Sequence, residues 1–94
     1  MSERTAAALA RMDALLPAVQ ALPAGADRDA LIEEAQALRR AIAAFHMEAI
    51  RFRMYNVDRL LKSTQAPDAT ATSFEALRHE LESAGFHTRS HTAP

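Results

Sequence analysis

Residues 27–66 run without a Gly or a Pro, and their apolar positions fall into two series at helical spacing. Leu31, Ala35, Leu38, Ile42, Phe45, Ala49 and Phe52 alternate steps of four and three, the spacing of a coiled-coil seam, and Asn56 is next in line. Ala43, Met47, Ile50, Met54, Val57 and Leu61 keep the same alternation. On a heptad wheel the centres of the two series lie about 150° apart and face nearly opposite directions. The pattern predicts one long central helix over residues 27–62. Asp27 is its expected N-cap, with Asp29, Glu33 and Glu34 in its first turns and Arg59 and Lys62 at its far end, as the helix dipole favours.

Such a helix would be roughly 54 Å long, whereas a compact globule of this length is about 32 Å across. Nor can one neighbour cover two opposed apolar faces. The first series can pack on the preceding helix, and the second needs the C-terminal helix or another subunit. We therefore expect self-association into a dimer or tetramer, alone or together with another protein, through an interface of Phe45, Met47, Ile50, Met54, Val57 and Leu61. From Arg39 to Lys62 there are six cations against two anions, so the acidic start and basic end suit antiparallel pairing of two copies.

Leu9, Met12, Leu16 and Val19, with Leu15 and Leu22 beside them, predict an amphipathic helix over residues 2–22. Pro17 removes the bond to the Asp13 carbonyl, so a kink or break is expected near Leu16. Pro23 to Ala26 form a turn. Residues 63–71, with Pro67, read as a linker, and Thr72 followed by Glu75 reads as a capping box opening a short third helix that buries Phe74, Leu77 and Leu81. Gly85 and Phe86 should end it as a Schellman cap, with Phe86 reaching back toward Leu81. The expected architecture is all-α: a kinked N-terminal helix, one long central helix and a short C-terminal helix in a single domain over residues 1–86, then a loose polar tail over 87–94. Oligomerisation would complete the helical bundle.

Composition supports this reading. The chain has 94 residues, 49% of them hydrophobic and many of those Ala, with only 2 Gly and 4 Pro. A domain so small gains burial by assembling. The formal net charge of −1 gives no general support to nucleic-acid or membrane-surface binding. Lys62 is the only Lys against ten Arg, a bias that GC-rich coding explains. The absence of Cys excludes disulfides, thiolate metal sites and cysteine nucleophiles. Residues 14–26 are uncharged, yet Asp13, Gln20 and two prolines argue against a secretory signal, and no segment is long enough to span a bilayer. A cytoplasmic chain is expected.

Arg39, His46 and Arg53 recur every seven residues in the valley between the two apolar series. On one continuous helix they form a row suited to a carboxylate or phosphate. The competing structural reading has them pair with acids such as Glu33 or Glu34 of another chain. His46 and Glu48 diverge on a helix, while Glu75 and His79, and His87 and His91, share a spacing but offer only pairs, so no metal is expected. There is no nucleophile elbow or phosphate-cradling glycine loop, and no cofactor is expected. Glu48 with Arg51, Arg51 with Tyr55, and Asp58 with Lys62 read as a solvated ladder. Arg51, Tyr55 and Arg59 would touch nucleic acid only if a wider basic surface existed. The expected function is a small helical protein-interaction module, a scaffold, adaptor, chaperone-like or regulatory subunit, rather than an enzyme. The alternative is an oligomeric helical-bundle enzyme or small-anion binder with its pocket around Arg39, His46 and Arg53.

Overall fold

The computed structural model describes residues 3–86, which form four helices and no strand. They are α1 (Glu3–Gln20), α2 (Ala26–Ala43), α3 (Met47–Ser63) and α4 (Asp68–Ser83). The expected tail over 87–94 lies outside the described residues.

The single long central helix is not formed. The chain reverses at residues 44–46, and α2 and α3 pack side by side as a helical hairpin. The stop is a Schellman motif built without glycine. Phe45 takes the left-handed conformation, with φ of 59°, its N–H donates to the Ile42 carbonyl at 3.0 Å, and the His46 N–H donates to the Ala41 carbonyl at 3.1 Å. His46 also opens α3, because its Nδ1 accepts from the Ala49 N–H at 3.1 Å. One residue thus closes α2 and caps α3.

The reversal explains both apolar series. Leu31, Ala35, Leu38 and Ile42 are buried on α2, whereas Phe45 and Phe52, later in the same series, are exposed. Ile50, Met54, Val57 and Leu61 are buried on α3, whereas Ala43 and Met47 at the head of that series are exposed. Each series is the core face of one helix of the hairpin. The length argument for a partner therefore falls away: the described chain spans 34 × 31 × 21 Å, with a Cα radius of gyration of 12.3 Å.

Smaller boundaries shift for local reasons. α1 continues through Pro17 to Gln20, so no break occurs near Leu16. α2 begins at Ala26 with Gly25 as N-cap, and Asp27 and Asp29 lie inside its first turn, where their charge favours the dipole. α4 starts at Asp68 behind Pro67, so Thr72 lies within the helix and does not cap it. At its end Gly85 takes φ of 98°, and the Phe86 N–H donates to the Leu81 carbonyl at 2.9 Å, the expected Schellman geometry.

The order of close neighbours is α3, α2, α1, α4; the flanking helices α3 and α4 approach each other less closely. All four helices contribute to one core, in which Met12, Leu15, Leu38, Ile50, Met54, Phe74 and Leu77 are among the fully buried side chains. A third Schellman stop ends α3. Gln65, with φ of 53°, donates to the Lys62 carbonyl, and Ala66 donates to the Leu61 carbonyl, both at 3.3 Å. A left-handed L-residue costs roughly 1–2 kcal/mol, and Gly gives back part of that gain through its flexible unfolded state. Gln65→Gly should therefore stabilise the fold by about 0.5–1 kcal/mol. Urea denaturation reads this directly, and a destabilised variant would mean that the Gln65 side chain contributes more than its backbone strain costs.

Candidate functional site

The row of Arg39, His46 and Arg53 exists only on an unbroken helix, and the reversal disperses it. Arg39, on α2, donates from Nε to Asp13 Oδ1 of α1 at 3.0 Å. That hydrogen bond, and then the Asp13 charge, hold the guanidinium above its ordinary pKa. His46 is occupied in capping α3. Arg53, on α3, donates from Nη1 to both carboxylate oxygens of Glu34 on α2, at 3.0 and 2.9 Å, and Asn56 Nδ2 adds a third donor to Glu34 at 2.9 Å. The acid facing Arg53 comes from the same chain, across the α2–α3 hairpin. An anion at these positions would have to compete with Asp13 and Glu34 for their cations.

The six residues expected at a subunit interface also separate. Ile50, Met54, Val57 and Leu61 are covered by the chain itself, because α3 packs on α2 and turns their face into the common core rather than outward. Phe45 and Met47 remain on the surface.

With the core closed, the large apolar side chains left exposed among the described residues are Phe45, Met47, Phe52 and Tyr55, all on α3 or the turn entering it. Phe45 is 60% exposed, Phe52 53% and Tyr55 44%. The Phe45 ring meets buried Phe86 edge-on, with centroids 5.2 Å apart and planes at 76°. The Arg53 guanidinium carbon lies 5.2 Å from the centroid of Phe52. Phe52 and Tyr55 sit one turn apart on the side of α3 opposite Ile50 and Met54, between Glu48 and Arg59. Glu48 faces Arg51 at 3.5 Å and Lys62 faces Asp58 at 3.1 Å, whereas Arg59 has no ion pair among the described residues. Sequence reasoning placed Phe52 in a buried seam and Tyr55 in a polar ladder. The available signal was the polar Asn56, which interrupts the first series while Ile50, Met54 and Val57 continue the second.

A hollow of about 390 Å³ lies at the α1–α2 turn, lined by Leu22, Gly25, Asp27, Arg28 and Thr64 among others. Asp27 and neighbouring Asp29 set negative charge against any anion at that helix start. A second hollow, of about 250 Å³, opens between α3 and α4 against Leu61, Ala66, Phe74 and Glu75. Among the described residues no three His, Asp or Glu side chains gather as a metal set, and no helix is long and apolar enough to cross a membrane. No family model, curated protein or solved structure matches the chain.

Proposed function

We propose that the chain is a protein-interaction module that works through helix packing on the outward face of α3. The observation carrying this reading is the pair of half-exposed aromatics Phe52 and Tyr55 on α3, which with Phe45 and Met47 at its start are the large apolar side chains left exposed among the described residues. Aromatic side chains flanked by charges are the composition of interface anchors, and they lose solvent contact only when something covers them. The reading fits a scaffold, adaptor or regulatory subunit better than an enzyme, since the polar groups first suspected of binding an anion are engaged with Asp13, Glu34 and the α3 N-terminus.

Combining Phe52→Ser with Tyr55→Ser tests it, because both side chains lie outside the buried core cluster. The melting temperature should stay within about 2 °C of the wild type. Association should be lost, whether measured as mass in solution or as retention of a protein from an extract of the native host. A wild-type chain that associates with nothing, or a variant that associates as the wild type does, would remove the reading.

A further inference from the structure

We propose that the outward face of α3 pairs with the same face of a second copy, antiparallel, about a two-fold axis level with the peptide between Arg53 and Met54. This rests on the interaction reading above and names the partner. Glu48 and Arg59 are equidistant from that level, and so are Phe52 and Tyr55. At 100° per residue all four fall within about 60° of arc, on the side away from buried Ile50 and Met54. A two-fold axis there sets Phe52 against Tyr55 of the second copy and Glu48 against Arg59 of the second copy, each contact occurring twice.

Charge decides between this arrangement and its alternatives. A parallel pairing would oppose Glu48 to Glu48 and Arg59 to Arg59, like against like. The antiparallel one satisfies both. Glu48 has its side chain 82% exposed with a 3.5 Å contact to Arg51, and Arg59 has no ion pair among the described residues, so both can turn to a facing helix. Among the described residues no other helix offers a competing surface, since the large exposed apolar side chains all belong to α3 and its entering turn.

Sedimentation of the full chain over about 10 to 500 µM should show a monomer–dimer equilibrium. Glu48→Arg alone and Arg59→Glu alone each place like charges opposite each other twice and should weaken the dimer about tenfold or more. An equimolar mixture should recover it, because the first variant offers two cations and the second two anions, re-forming both contacts in a heterodimer. Circular dichroism on each variant establishes that it is folded, and recovery on mixing is an outcome that a misfolded variant cannot produce. A wild type that stays monomeric overturns self-pairing, while the serine variant separately decides whether the face serves another protein. A dimer that ignores the single changes, or a mixture that fails to recover, overturns the register and leaves the interaction reading standing.

Discussion

Replacing Ile50 with glutamate will unfold the chain. Ile50 is fully buried in the core that α3 forms with the other helices, so the new carboxylate would have neither water nor a cation within reach. Burying a charge without a partner costs several kcal/mol, and a chain of 94 residues has only about 5–14 kcal/mol of total stability to set against that. We expect the cooperative urea transition to be lost or shifted to near zero denaturant, with most helical ellipticity gone at 25 °C. The loss should not depend on protein concentration, since the damage is within one chain. Ile50→Val, which removes one methylene, should cost about 1 kcal/mol. A glutamate variant that stayed folded and changed only its mass would place Ile50 at a boundary between subunits and contradict the closed core.

Arg78→Ala will cost about 2–3 kcal/mol, an unusually large effect for an arginine in so small a domain. The Arg78 side chain is only 9% exposed, and it lies where α3 and α4 approach each other less closely than the other neighbouring helices. Its guanidinium reaches Glu75 at 3.4 Å within α4 and Asp58 at 3.9 Å across the seam, with Cζ 5.2 Å from the Phe74 ring centroid. Truncation removes one of the two cations that Asp58 faces, Lys62 being the other, and the cover over Phe74. Arg78→Met keeps most of the volume and the cover over Phe74, while Asp58 keeps Lys62 and Glu75 keeps its exposure to water, so it should recover more than half of the loss. Urea unfolding of the two variants gives both numbers. If alanine cost less than about 0.5 kcal/mol, the seam would be held by Phe45 against Phe86 and by the core alone.

The helical class and most of the core were readable from periodicity, because Leu31, Leu38, Ile50, Met54, Phe74 and Leu81 recur at spacings only a helix brings to one side. What could not be read was the reversal at residues 44–46. The three Schellman stops have the same hydrogen-bond pattern, yet only the last uses glycine; the others put Phe45 and Gln65 in the left-handed region. A stop of that kind leaves no compositional mark. It does leave a phase mark: the first apolar series loses its large buried residues after Ile42, and the second acquires them at Ile50. Two series about 150° apart that hand over near their midpoint describe one core face on each of two helices more economically than two faces on one. The anion row failed for the same reason, since the seven-residue spacing of Arg39, His46 and Arg53 carries geometric meaning only along an uninterrupted axis. The acids expected opposite these cations were Glu33 or Glu34 of another chain; the hairpin instead supplies Glu34 from within the chain, to Arg53 alone, and Arg39 meets Asp13.

Made from its N-terminal side, the chain can close α1 on α2 and α2 on α3 as each helix leaves the ribosome, because turns of a few residues join those pairs. The other flank of α1 belongs to α4, with Arg11 meeting Glu80 at 3.2 Å. That contact waits for some sixty further residues, roughly 3–12 s of translation. For the last twenty or so of these residues, from the end of α3 to the end of α4, roughly 1–4 s, the nascent protein is a three-helix intermediate whose apolar groove for α4 is open. A chain stopped before Leu77 and Leu81 would therefore keep that groove uncovered, and docking of α4 is the step that closes the core.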